Sequence, residues 1–84
     1  MKHTASKRFW QCLDALPGDI QALARRSYAQ VKVDPSHPSL QFKRVGRYWS
    51  ARVSKGYRAV AMDVDDGLLW FWIGPHAEYD KIIK

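Results

Sequence analysis

The sequence predicts an α+β domain in which two N-terminal helices pack on a four-stranded antiparallel sheet, followed by a short C-terminal tail or helical turn. Three observations carry this. Apolar residues recur at helical spacing as far as Val31 and at a spacing of two from Leu40 onward. Pro17-Gly18 and Asp34-Pro35 punctuate the first half of the chain, where a helix must stop. Gly46-Arg47, Ser54-Lys55-Gly56 and Asp65-Asp66-Gly67 divide the second half into short runs joined by turns. At 84 residues, the chain makes one domain over residues 1–84.

Met1 to Ser6 is short and polar and carries no strand signal. A first helix is predicted from near Thr4, because Phe9, Cys12, Leu13 and Leu16 fall on one helical face. Pro17-Gly18 ends it, and Asp19 is placed to cap a second helix by accepting its free backbone N–H groups. Ile20, Leu23, Ser27 and Val31 mark the apolar stripe of that helix, with Lys32 suited to its C-terminus. Pro35 to Pro38 reads as an extended connection. Strands are predicted over 40–45, 48–53, 57–64 and 68–73. The last two connections read as three-residue hairpin loops with glycine in the left-handed conformation.

Those loop lengths set a register. Arg44 faces Trp49, Arg52 faces Arg58, Val60 faces Trp72 and Arg58 faces Gly74. One sheet face then carries Leu40, Phe42, Trp49, Ala51, Val53, Tyr57, Ala59, Ala61, Leu69, Phe71 and Ile73, an apolar set for the helices to cover, with Arg44 and Asp63 at its rim. The other face carries Lys43, Ser50, Arg52, Arg58, Val60, Met62, Trp70 and Trp72, with His76 just past its end. Two arginines directly opposite one another cost a sheet about a few tenths of a kcal/mol. A fold can carry that cost when an anion sits between them.

Charge points the same way. Lys and Arg number 14 against 8 Asp and Glu, a net charge of +6, which favours an anionic partner such as nucleic acid, an acidic protein or a membrane surface. The single cysteine, Cys12, excludes an internal disulfide and suits a reducing cytoplasm. No apolar run is long enough for a signal peptide or a membrane span, so a cytoplasmic location is expected. No His/Cys cluster, P-loop or dinucleotide-binding glycine motif is present, so no metal or cofactor is expected.

Arg52 and Arg58 can hold a phosphate with paired N–H donors and stabilise charge that builds on it; on an exposed face they can equally be two solvated cations. His76 has the intrinsic pKa, about 6.5, to pass a proton near neutrality, or is a surface histidine after a turn. Lys43, Arg47 and Lys55 extend the basic field. Trp72 and Tyr79 can stack on bases, and Tyr79 can also donate a phenolic proton; alternatively the tail, with Ile82 and Ile83, folds back over the tryptophans. Cys12 lies on an apolar helix face, which fits a core residue better than a nucleophile.

Three segments carry a resemblance. HPSLQFKRV, WSARVSKGYRAV and LLWFWIGPHAEYDKII, in this order and spacing, resemble the RelE/ParE superfamily of bacterial toxins. Its most specific parts are Ser50 to Arg58 and Ile73 to His76. The resemblance implies a type II toxin neutralised by a cognate antitoxin with an acidic contact surface, DNA being reached only indirectly through that antitoxin. The RelE-like branch cleaves mRNA, usually on the ribosome; the ParE-like branch inhibits DNA gyrase without catalytic chemistry; a third possibility is an inactive antitoxin-binding module. By motif position Arg58 matches the central arginine of the family, Arg52 a basic residue of the preceding strand, and His76 the arginine or histidine past the last strand. The resemblance favours the ribonuclease branch because His76 accompanies two arginines, and the gyrase branch does not need that histidine. Ser50 stands where a second basic residue is common, and the family's usual first strand is not expected in this chain, because Met1 to Ser6 is short and polar.

Overall fold

The computed structural model describes residues 2–83. In chain order they form β1 (Lys2–Ala5), α1 (Lys7–Asp14), α2 (Gly18–Val33), a short 3-10 turn (Pro38–Leu40), β2 (Lys43–Val45), β3 (Tyr48–Ser54), β4 (Tyr57–Val64), β5 (Gly67–Pro75) and α3 (His76–Ile82). The sheet has five strands in the order β1-β5-β4-β3-β2, with β1 parallel to β5 and every other pair antiparallel. The expected four-stranded antiparallel sheet therefore gains a parallel edge strand.

That strand lies where a helix start was expected. Three of its four residues are polar, and only Ala5 packs on the core, so β1 is held by its surroundings rather than by its own pattern. Gly67 stands opposite Lys2, where a Cβ would come within 1.9 Å of the Lys2 carbonyl oxygen. Only a glycine lets the two backbones meet there. The Ser6 N–H donates to the Trp70 carbonyl at 2.9 Å, and the Trp70 indole N–H donates to His3 Nδ1 at 3.1 Å. The chain then turns at Ser6, whose hydroxyl accepts from the Phe9 N–H at 3.2 Å and caps α1.

α1 follows its predicted stripe, with Phe9 and Leu13 buried against the sheet. α2 is rotated from its own: of Ile20, Leu23, Ser27 and Val31 only Val31 is buried, and Ala24 and Tyr28 turn to the core instead. Asp19 lies in the first turn of α2 but does not cap it; Pro17 occupies that position with no side-chain bond. Gln21 instead reaches back, donating to the Leu16 carbonyl at 2.8 Å and so closing the end of α1. The expected strand over 40–45 is shorter. Gln41 adopts a left-handed φ of 44°, which ends the 3-10 turn and leaves only Lys43–Val45 extended.

Both long hairpins differ in detail from the three-residue loops expected, yet preserve the register. Ser54 pairs with Tyr57 across a two-residue turn, and one extra residue between Arg52 and Ser54 forms a bulge. Val64 pairs with Gly67 across Asp65-Asp66, and a second bulge falls in β5 between the partners of Val60 and Ala61. A two-residue turn plus a one-residue bulge has the same net offset as a three-residue loop. The pairs Arg44–Trp49, Arg52–Arg58, Val60–Trp72 and Arg58–Gly74 are all present. Gly46, at φ 61°, is the one left-handed glycine among the described residues; Gly56 and Gly67 are not.

The residues between turn and bulge change face. Trp70, expected on the charged face, is 2% exposed in the helix-covered core with Leu68, and Phe71, expected in that core, packs against Tyr48 on the opposite layer. Leu69 likewise leaves the helix-covered face. Two hydrophobic layers result. The larger lies between the sheet and α1/α2, where Ala51, Ala59 and Ala61 let the helices approach. The smaller is formed by α3, whose Tyr79 covers Val60 and Trp72, with Ile82 and Ile83 beside them. No described helix is long and apolar enough to cross a membrane.

Candidate phosphate-binding corner

The β3–β4 hairpin gathers the chemistry at one end of the sheet. Arg52 and Arg58 are directly opposed on neighbouring strands, and Arg58 in turn stands opposite Gly74, two residues before His76. Strand alternation puts Arg58 on the same face as Val60, the face on which α3 packs. Opposed side chains have Cβ atoms roughly 4.5–5.5 Å apart, so the two arginine side chains leave the sheet side by side on one face.

The hairpin backbone organises that site. Arg58 Nη1 donates to the Ser54 carbonyl at 2.8 Å and to the Tyr57 carbonyl at 2.9 Å. Both acceptors are neutral, so the arginine is oriented while its charge is left uncompensated, and its remaining N–H groups stay available. The His76 N–H donates to the Gly56 carbonyl at 2.8 Å. Three carbonyls of one tight turn thus fix the arginine and the start of α3 together. His76 Nδ1 lies 3.8 Å from Asp80 Oδ2, one helical turn on, and its ring is 5.5 Å from that of Tyr79. His76 is exposed, Arg52 and Arg58 are half-buried, and neither arginine forms an ion pair among the described residues.

The remaining residues expected at the site divide. Lys55 is exposed at the tip of the same hairpin, and Lys43 is exposed on β2, opposite Ser50. Ser50 precedes Arg52 by two residues, so Lys43 lies about 7 Å along the sheet from the arginine pair. Arg47 is at the other end of β3, about 13 Å or more from Arg52 by strand rise, with its guanidinium 5.9 Å from the centre of the Tyr48 ring. Trp72 and Tyr79 are each 6% exposed and pack on one another's layer, so with α3 in place neither offers an open ring face to a base. Arg44 is engaged elsewhere: it pairs with Asp63 at 2.8 Å, whose other oxygen accepts from the Trp49 indole at 3.0 Å.

Two contributors escape a reading of the sequence. The His76–Asp80 spacing of four was visible, but its meaning required α3 to be a helix. The carbonyls of Ser54, Gly56 and Tyr57 have no sequence signal, because any residue supplies a carbonyl. Among the described residues there is no group of three or more His, Cys, Asp or Glu side chains that could hold a metal.

No protein-family model and no curated protein sequence matches the chain. Solved structures do. A chain of the RelB–RelE antitoxin–toxin complex from Methanococcus jannaschii superposes with a TM-score of 0.73 at 15% identity, covering 96% of this chain and 99% of that one. E. coli YafQ gives 0.73 at 12% identity over 93% and 96% of the two chains, and a YoeB/ParE toxin from Agrobacterium tumefaciens gives 0.68 at 15% over 90% and 99%. The five-stranded mixed sheet with its helices on both faces is the fold of the RelE/ParE-type toxins.

Proposed function

We propose that the protein is the toxin of a type II toxin–antitoxin pair and that it acts as an endoribonuclease on mRNA, in association with the ribosome. The observation that carries this reading is the opposed Arg52–Arg58 pair with His76 tethered to the same hairpin. Like charges held face to face are unfavourable unless they share an anion, and a phosphodiester is the anion that the +6 chain would meet on RNA.

The proposed chemistry is an internal transesterification. A ribose 2′-oxygen attacks its own 3′-phosphate; the new P–O bond forms as the bond to the next 5′-oxygen breaks. The 2′-hydroxyl loses a proton and the leaving 5′-oxygen gains one. The product ends are a 2′,3′-cyclic phosphate and a 5′-hydroxyl. Arg52 and Arg58 stabilise the extra negative charge on the phosphoryl oxygens, and His76 transfers one of the two protons. Lys55 and Lys43 hold flanking phosphates. The antitoxin silences the protein by laying an acidic surface over this corner.

Induction of the chain without its antitoxin tests the reading. Growth arrest is expected for the wild type and not for Arg58→Ala or His76→Ala, while both variants still bind the antitoxin. Arrest that persists in both variants overturns the site. Arrest with intact mRNA and a DNA-damage response assigns the gyrase-inhibitor activity instead, and harmless expression assigns an inactive partner.

A further inference from the structure

RNA cleavage at this corner needs one proton removed from the 2′-hydroxyl and another delivered to the 5′-oxygen. Which of the two falls to His76 depends on which ring nitrogen carries its hydrogen. A neutral imidazole has one N–H donor and one bare nitrogen that accepts. The partner of one nitrogen sets the role of the other.

Contacts at the start of α3 fix that choice. The His76 backbone N–H is bonded to the Gly56 carbonyl, so the residue continues the β4–β5 pairing one step further as α3 begins. Alternation along β5 returns it to the face of Gly74, which stands opposite Arg58. One helical turn on, Asp80 brings Oδ2 to 3.8 Å from Nδ1 of the ring. The Tyr79 ring stands beside the imidazole at 5.5 Å between centres. Asp80 has no other ion-pair partner among the described residues, although Lys81 adjoins it in the chain. At 3.8 Å the contact is electrostatic and not a hydrogen bond, yet its sign is defined. An ionised carboxylate only accepts, so it favours the ring form with hydrogen on Nδ1 and opposes the form that turns a lone pair towards it. Nε2, the nitrogen away from Asp80, is then bare.

We propose that Asp80 is a positioning residue that holds His76 in the Nδ1–H form, and that His76 is therefore the base of the reaction, acting through Nε2. This rests on the ribonuclease reading. The 2′-hydroxyl hydrogen passes to Nε2 as its oxygen bonds to phosphorus and the bond from phosphorus to the 5′-oxygen breaks. The ring becomes a cation with both nitrogens protonated, and the Asp80 carboxylate faces the new charge. The 5′-oxygen takes its hydrogen from water, and the ring later returns its own to solvent, so the protons balance. The hold of the carboxylate grows when bound RNA excludes water, because charges interact more strongly at lower dielectric.

Nitrogen NMR of His76 in the free protein, at a pH where imidazole is neutral, reads the ring form without turnover. A helix pair at this spacing and exposure biases an equilibrium by about two-fold. The ratio of Nδ1–H to Nε2–H forms should fall by at least that much in Asp80→Asn, whose amide donates as well as accepts, and Asp80→Glu should restore it in part. An unchanged ratio overturns the role of Asp80. The role of His76 is read from mRNA on programmed ribosomes, with sulfur replacing the 5′-oxygen at a linkage the wild type cuts. A thiolate leaves without a proton, so sulfur rescues the loss of an acid and not the loss of a base. His76→Ala should stay about 100- to 10,000-fold below wild type on both linkages, and Asp80→Asn should lower kcat on both while KM holds. Recovery of His76→Ala on the sulfur linkage would make His76 the acid and overturn the proposal. Absence of cleavage by the wild type would sink the ribonuclease reading and the base role with it, while the NMR ratio still decides whether Asp80 holds the ring.

Discussion

Gly74→Ala is the most instructive single substitution, because it connects the second hydrophobic layer to the corner. Gly74 does not occupy a left-handed backbone conformation. On backbone grounds alone, alanine should stabilise by about 0.4–1 kcal/mol through the unfolded chain. Packing predicts the opposite sign. A Cβ at this position would lie 2.6 Å from Cζ2 of the Trp72 indole and 3.1 Å from its Cη2. Carbon atoms in contact rest at about 3.5–4.0 Å, so the indole must move by about 1 Å. Trp72 is 6% exposed and carries Tyr79, so the displacement is passed to α3. Overpacking of this kind costs about 1–3 kcal/mol. For a domain of this length each kcal/mol lowers the melting temperature by roughly 4–8 °C. Urea and thermal unfolding measure the cost, and Trp72→Phe, which removes the clashing ring, should recover much of it in the double variant. His76 rides on α3, so RNA cleavage should fall further than stability at a temperature where Gly74→Ala remains folded. A stabilised or neutral Gly74→Ala, or a double variant no better than the sum of its parts, refutes this account of α3.

Three further outcomes are expected. Gly67→Ala should expel β1, since its Cβ would meet the Lys2 backbone; the lost Ser6 and Lys2 bonds and the His3–Trp70 bond together are worth about 2–4 kcal/mol, and unchanged hydrogen-exchange protection of the Ser6 amide would contradict it. His3 accepts the Trp70 indole N–H, and burial first, then the N-terminal amine and Lys32, hold its pKa below 6.5. Between that lowered value and about 6.5 the unfolded chain binds a proton the folded chain refuses, so stability falls as pH drops through this window; His3→Gln should flatten that part of the urea-midpoint profile, and an identical slope would remove the role of His3. Arg58→Lys keeps the charge but loses the planar fork that bonds two carbonyls while presenting further donors. It should cleave RNA almost as poorly as Arg58→Ala while retaining the wild-type salt dependence of RNA binding, whereas Arg58→Ala should reduce the slope of log K against log salt by about 1. Equal slopes for both variants would show that Arg58 does not touch phosphate.

Much of this fold is legible in the chain, and the misses have specific causes. The stripe of α1 and the period-two run of β3 and β4 follow from burial on one face, which leaves a strong mark; in α2 the small Ala24 and the amphipathic Tyr28 face the core, and only Val31 of the apolar stripe read from the sequence joins them. β1 leaves none, because Lys2–Ala5 is mostly polar and depends on a missing Cβ sixty-five residues away, at Gly67. Simple alternation puts Trp70 and Phe71 on the wrong faces, because a bulge shifts alternation without altering composition. The arginine pair was read correctly because the bulge next to it compensates for a shorter turn. At the corner, side-chain identities were visible and their support was not: the turn carbonyls that fix Arg58 and His76 belong to the backbone. Trp72 looked free to stack because nothing in the tail shows that Tyr79 will lie across its layer.

The central claim is that one hairpin joins two guanidinium groups and an imidazole into a device that breaks RNA. Sequencing the 5′ ends of cellular RNA shortly after induction, in the wild type and in Arg58→Ala, addresses it most directly. New 5′-hydroxyl ends inside translated frames, present in the first and missing from the second, are the predicted result. An unaltered set of ends in growth-arrested wild-type cells would contradict it.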